Sequence, residues 1–413
     1  MPRATPLAAA IAAATALPLL AVVPPAAASP APTAPAVERT AERPAGPAAA
    51  PAAGPPGTGW TQVFGDEFGG GAVDTAKWNF RTDVKANSAQ RPQNVTQSGG
   101  LLHIALKKED HAGKQFTGGG VISKKHLRYG YYETRARIND GAGWHTAFWL
   151  QAGDGSTTYP AEQRTEIDGF ETDSVSPTKT YHTVHGWVGS GVHGPVTIGS
   201  GSYDTGLDLR QWHTYGVDWS ESGVKFYIDG ALKYTAPYTP GQWTHDYTAV
   251  WLTSIATGSL PDASKLPSAA SFDYVRYWQR DYYVDNDGAA AYGYSTTGTW
   301  QTSALTGWTK DSPVSYGCAA GAAATWRPRL SAGGSYEVFL RKSVSATGGD
   351  PAAKVTLNNA GAVSTRTLDE RSGSPGWVSL GTQTYQSGTG ASVSLTASGT
   401  GCAHADAVKF VRR

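Results

Sequence analysis

From Trp60 to its last residue, the chain is a succession of short runs of aromatic and β-branched residues, each broken by glycine or proline. Runs this short cannot lay out the i, i+3, i+4 stripe of a buried helix, but they suit strands with turns between them. YGYYETRARI (129–138) and SFDYVRYW (271–278) are strand material. VKFYIDGALKYTA (224–236) is two strands about Asp229-Gly230, a pair that favours a tight hairpin turn. Fourteen Trp, 20 Tyr and 50 Gly against one Met point the same way, to an all-β chain. Strands continuing over about 220 residues predict a β-sandwich of jelly-roll type.

The 413 residues allow a second domain. It is expected to begin near Tyr283-Val284-Asp285-Asn286 and to be a smaller β-sandwich. Its strand segments include AAATWRPRL, GSYEVFLRK, AKVTLNNAG, GWVSLGTQTY, ASVSLTA and ADAVKFVR. No Pro- or Ser-rich linker separates the two domains, so they are expected to abut, with limited relative motion.

The N-terminus has the pattern of a secretory signal. Arg3 precedes an apolar run from Leu7 to Val23, and Ala26-Ala27-Ala28 offers a small-residue cleavage site before Ser29. Residues 1–28 are therefore set apart from the fold. Pro18, Pro24 and Pro25 argue against a stable membrane anchor, and no later segment is long and apolar enough to span a bilayer. Residues 29–57 are Ala/Pro-rich, cannot bury a core, and are expected to be disordered or extended. Export to an oxidising compartment makes a disulfide the expected state of the two cysteines, Cys318 and Cys402. A net charge of +1 gives no basic excess for nucleic acid or an anionic membrane. The expected protein is a secreted monomer.

The chemistry concentrates in QRTEIDGFETD (163–173), which holds Glu166, Asp168 and Glu171. On a regular strand Glu166 and Asp168 share a face, and Glu171 points to the other. That phase would bury Glu171 and expose Phe170, at a cost of several kcal/mol for the unpaired acid. One extra residue at Gly169 corrects both, since a β-bulge shifts the phase and glycine tolerates it. Ile167 and Phe170 then face the core, and the three acids share a cleft. Clustered carboxylates raise one another's pKa, so at least one is expected to stay protonated near neutral pH. Glycoside hydrolysis needs that combination. A solvated acidic strand or a calcium site, with oxygen ligands, stays open as an alternative.

EIDGFE resembles the E-x-D-x-x-E signature of glycoside hydrolase family 16. VFGDEFGGGAVDTAKWNF, RPQNVTQSGGLLHIALKKE, GGGVISKKHLRYGYYETRARINDGAGWHTAFWLQ, YHTVHGW and SFDYVRYWQ resemble that family's other strands, in order, over residues 59–280. The resemblance implies a concanavalin-like β-jelly-roll sandwich over residues 58–281 and an endo-acting, retaining enzyme. It implies Glu166 as nucleophile, Glu171 as general acid/base and Asp168 between them, tuning the nucleophile. It also implies that Asn94, Trp144, Trp149 and His185 line the substrate cleft, with Trp144, in a loop after Gly-Ala-Gly, the more exposed of the two indoles. Asn94 opens a glycosylation sequon, which its strand-like setting discounts. Some members bind calcium away from the chemistry, and Asp273 is a candidate ligand; no other cofactor or metal is implied.

The chain departs from the family's β-1,3-glucanases. It has Trp144-His145-Thr146-Ala147 where they carry Trp-Pro-Ala, and it lacks their Arg near GGGVISK. The GGGVISKK segment is closer to galactan-acting members. Residues 282–413 resemble the golvesin C-terminal-like domain found on xanthan lyases, which implies a carbohydrate-binding module. Its Trp300, Trp326 and Trp377 are expected in the core, and His404 and Asp406 form no catalytic constellation. The function expected is hydrolysis of a β-linked polysaccharide, glucan or galactan, by double displacement. A non-catalytic lectin and a transglycosylase using the same acids are the alternatives.

Overall fold

The computed structural model describes residues 54–152, 164–187, 196–238, 247–286, 293–308 and 313–413. The expected export signal and most of the Ala/Pro-rich segment lie outside them. Among the described residues there is no α-helix; two short 3-10 turns, Pro92–Asn94 and Ala263–Lys265, accompany the strands. The chain is all-β, as its interrupted apolar runs predict.

Two antiparallel layers build the first domain. One runs in the order Ala231–Ala236, Gly223–Ile228, His213–Ser220, Gly130–Arg137, Ser268–Gln279. The last of these also pairs with Thr61–Asp66 and Leu101–His111. The other layer runs Val196–Asp204, Lys179–Trp187, Arg164–Asp173, His145–Gln151, Ala249–Ile255, Lys114–Ser123, Trp78–Phe80. The pairing of Leu101–His111 with Lys114–Ser123 carries the chain from one layer to the other. The expected hairpin forms at Asp229 (φ 50°) and Gly230 (φ 76°), the left-handed conformations that a two-residue turn requires.

Alternation along the strands places one face of each layer in a common core. Phe148, Leu150, Ile167, Phe170, Val184, Val250 and Leu252 come from the second layer, and Tyr215, Val217, Phe226 and Phe272 from the first. The Phe170 and Tyr215 rings stack across the layers at 3.9 Å, and His182 stacks on Phe226 at 4.9 Å. A core of this size is the main stabilising term, at about 1.5–3 kcal/mol for each large apolar side chain fully buried.

The smaller domain has its own core, including Trp326, Tyr336, Val338, Val393 and Phe410, between a sheet of four strands and one of five. Cys318 and Cys402 form the expected disulfide. Trp326 is fully buried and Trp300 packs against that core, but Trp377 packs elsewhere. It meets Trp308 edge-on at 5.4 Å, and Trp308 stacks on Tyr283 and joins the first domain's core. The Arg128 guanidinium lies 4.7 Å from the Trp308 ring and 4.8 Å from that of Tyr129. The two domains therefore share buried aromatic surface.

Candidate active site

The acids lie on Arg164–Asp173, and the strand bulges where the phase argument requires. Against His145–Gln151, Asp168 opposes Trp149 and Phe170 opposes Phe148, which leaves Gly169 without a partner. Against Lys179–Trp187, Asp168 opposes Thr183 and Glu171 opposes Tyr181. The acid strand thus carries one extra residue against each neighbour: residues 168–170 oppose two on one side and residues 168–171 oppose three on the other. Ile167 and Phe170 are fully buried in the core, while Glu166 and Glu171 are part-exposed on the other face. Glycine is required at 169 by close approach: a Cβ there would lie 2.7 Å from Phe148 Cδ1 and 2.9 Å from Val217 Cγ2.

The face carrying the acids is aromatic and polar. Ile122, Ala147, Trp149, Ala249 and Trp251 form a separate apolar cluster there. Trp149 lies directly across from Asp168 on one side and from Trp251 on the other, with the two indoles 4.4 Å apart. Its Nε1–H donates to Thr253 Oγ1 at 3.1 Å, and the Arg81 guanidinium, paired with Asp83, covers both indoles at 5.8 Å.

Glu166 Oε2 accepts from Trp187 Nε1–H at 2.6 Å and from the amide of Gln151. Burial, then the charge of Glu171, pushes the Glu166 carboxyl up to about 7; the Trp187 hydrogen bond and the cations Lys85 and Arg164 pull the other way. Asp168 is 1% exposed. Burial, then the charges of Glu171 and Glu166, pushes its carboxyl well above the carboxylate range. At neutral pH this cluster holds a proton. An oxygen of Glu166, one of Asp168 and a ring nitrogen of His185 lie within 4.8 Å of one another. His185 opposes Glu166 across the strands, approaches Asp168 Oδ2 at 3.6 Å with Nε2, and meets Thr197 Oγ1 at 3.1 Å with Nδ1.

Glu171 has a partner that the sequence had not marked. His145 Nε2 lies 2.9 Å from Glu171 Oε1, and His145 Nδ1 lies 2.9 Å from Asp173 Oδ1. The antiparallel register sets this up, pairing His145 with Asp173 and Ala147 with Glu171.

Two of the expected cleft residues lie elsewhere. Trp144 is 1% exposed and packs edge-on against Phe116, so it belongs to the core. Gly141 (φ 100°) and Gly143 (φ 91°) turn the chain, and the Trp144 backbone N–H donates to Ser174 Oγ, holding the indole inward. Asn94 is fully buried at the end of a 3-10 turn rather than on a strand; its Nδ2 donates to Thr117 Oγ1 and to the Gly118 carbonyl. It ties the chain to Lys114–Ser123. Trp149 and His185 do stand beside the acids. Asp273 is 3% exposed and accepts from Arg135 Nη1 at 2.8 Å, a buried ion pair rather than an open calcium ligand. Gln151, Trp187, Trp251 and His145 complete the site without having been singled out.

Residues 82–279 match the glycosyl hydrolases family 16. That match falls within the first domain. Residues 282–412 match the Golvesin C-terminal domain. Among curated relatives, the chain is 25% identical over 248 residues to a β-glucanase of Rhodothermus marinus, covering 53% of this chain and 85% of the relative. It is 26% identical to the glucan endo-1,3-β-glucosidase A1 of Niallia circulans, covering 54% of this chain and 38% of that protein. It is 28% identical to a keratan-sulfate endo-1,4-β-galactosidase of Sphingobacterium multivorum, covering 59% and 60%. The chain thus spans less than two thirds of the second and third of these relatives. Of solved structures, SCLam, a non-specific endo-β-1,3(4)-glucanase of the same family, is 26% identical, with a TM-score of 0.46, over 54% of this chain and 92% of that one. The residues matched to family 16 contain the whole acid site.

Proposed function

We propose that the protein is a secreted, retaining endo-β-glycosidase that hydrolyses a β-linked polysaccharide. The observation that carries this reading is the bulge at Gly169, which gathers Glu166, Asp168 and Glu171 on one face. Glu166 is the nucleophile and forms the glycosyl-enzyme. Glu171 protonates the leaving oxygen and then takes a proton from the attacking water. Asp168 shares its proton with the nucleophile and spreads the charge that Glu166 carries or loses. Trp149, 9% exposed, stands beside the reacting acids and presents only an edge of its indole to the cleft, enough to border a bound sugar ring.

The substrate is a β-glucan or a β-galactan. Relatives named for each stand at similar identity, and the Trp144-His145 departure counts against a β-1,3-glucan. Export is supported by the N-terminal signal pattern and by the Cys318–Cys402 disulfide, a bond that persists in oxidising compartments. A lectin would bind without needing three acids on one face.

The test is incubation with laminarin, lichenan, agarose, porphyran, carrageenan and β-1,3-galactan, with reducing ends and the anomer first released followed by NMR. Internal cleavage of one polymer with the β-anomer released first is expected. Binding without release on every polymer would favour the lectin, and products longer than the substrate would identify a transglycosylase.

A further inference from the structure

His145 bridges an expected catalytic acid to a second carboxylate: Glu171 Oε1 and Asp173 Oδ1 each lie 2.9 Å from one of its nitrogens. We propose that His145, anchored by Asp173, is a positioning residue for the acid/base: it fixes one oxygen of Glu171 and shares the proton that Glu171 delivers to the glycosidic bond. This rests on Glu171 being the acid/base.

The geometry admits two arrangements that differ in the position of one proton. In the first, both ring nitrogens donate and both carboxylates are ionised. In the second, Nδ1–H still donates to Asp173, and Nε2 accepts from a protonated Glu171. One short hydrogen bond separates them. A lone Glu carboxyl is largely ionised at neutral pH, so an acid catalyst needs a source for its proton. The imidazole supplies one. Burial pulls the His145 ring down, but its hydrogen bonds to Asp173 and Glu171 and their charges more than offset this, and its pKa stands at about 9. Asp173 is correspondingly held below its usual range, chiefly by its hydrogen bond to His145.

In the first half-reaction, His145 Nε2 returns its proton to Glu171, and Glu171 passes it to the leaving oxygen as the glycosidic C–O bond breaks and Glu166 bonds the anomeric carbon. The imidazole is left neutral and Glu171 ionised. In the second, water bonds the anomeric carbon, its proton goes to Glu171, and the bond to Glu166 breaks. The proton is then again available to Nε2.

The surroundings leave this chain as the main charge on the ring. The acid strand contributes Glu171 and Asp173 directly, with Asp168 and Glu166 further along it. The next strand contributes His182 and His185, both of which burial holds below the ordinary imidazole range. Across the other neighbour, His145 faces the uncharged Ile255. Lys85 acts on Glu166 and Asp168.

The experiment compares His145→Ala, His145→Gln and Asp173→Asn with the wild type on whichever polymer the wild type cleaves, recording kcat against pH. In parallel, NMR follows the His145 ring titration in the wild type and in Glu171→Gln. His145→Ala is expected to lower kcat about 10–100-fold and to move the basic limb to lower pH by more than one unit. His145→Gln, which can donate to Glu171 but holds no transferable proton, is expected to recover part of kcat and none of the limb. The ring pKa is expected near 9 and lower in Glu171→Gln. An unmoved basic limb in His145→Ala, or a ring pKa indifferent to Glu171→Gln, overturns the proposal. A wild type that cleaves nothing overturns the hydrolase reading and the catalytic half of this one; the NMR titration then decides the pairing by itself.

Discussion

Trp187 Nε1–H donates to Glu166 Oε2 at 2.6 Å, so the expected nucleophile is held by an indole from the neighbouring strand. That bond stabilises the ionised carboxylate and pulls its pKa down against burial and the charge of Glu171.

The sign follows for Trp187→Phe. Losing the donor raises the Glu166 pKa above about 7, and a nucleophile must be ionised to attack. The acidic limb of the kcat/KM profile should therefore move to higher pH, by about one unit for a charge-assisted hydrogen bond of about 1.5 kcal/mol. Activity at pH 6 should fall about tenfold, with much of it recovered at pH 8. A profile that keeps its acidic limb in place would show that Trp187 does not tune this acid.

Gly169 was legible because two residues disagreed. Ile167 and Phe170 are both apolar at an odd spacing, and only an inserted residue puts both in the core, as the structure has it. Trp144 was misplaced because its loop glycines suggested exposure. Its parity with Phe148 and Leu150 in WHTAFWL pointed inward all along. The same alternation sets His145, Ala147, Trp149 and Gln151 on the opposite face. What it cannot supply is the register that sets His145 against Asp173, or the contacts of Trp187 and Trp251, which come from strands far along the chain. Side-chain parity is local, whereas pairing register depends on the whole sheet.

Gly169→Ala tests the bulge. The added methyl would sit 2.7 Å from Phe148 Cδ1 and 2.9 Å from Val217 Cγ2. Neither neighbour has room, since both are fully buried between the layers. Overpacking of this kind costs about 1–3 kcal/mol, seen as a lower urea midpoint with an unchanged slope. Gly169→Ala combined with Val217→Ala should be more stable than the sum of the two single changes allows. Simple additivity would mean that the methyl does not meet Val217.

The Cys318–Cys402 bond closes a loop of 84 residues within the smaller domain. A closure of this length restricts the unfolded chain and is worth about 2–4 kcal/mol. Cys318→Ser with Cys402→Ser should lower the unfolding free energy by that amount, read as a lower urea midpoint. Hydrolysis by the first domain should persist in the native state, because none of its acids touches the bond. An unchanged midpoint would place the stability of this domain in its apolar core alone.

Trp308 tests whether the two domains unfold together. Only 7% of it is exposed; it stacks on Tyr283, meets Trp377 at 5.4 Å and lies under the Arg128 guanidinium, while its backbone N–H donates to Asp406 Oδ1. Because this ring belongs to the first domain's core but is supplied by the second, removing it should uncouple them. Trp308→Ala is expected to cost about 3–5 kcal/mol, the range for a buried indole. In calorimetry the wild type should give one transition and the variant two, with the catalytic domain's the less affected by reductant. A single transition in both proteins would mean that the remaining contacts, including Lys409 with Glu221, couple the domains without the indole.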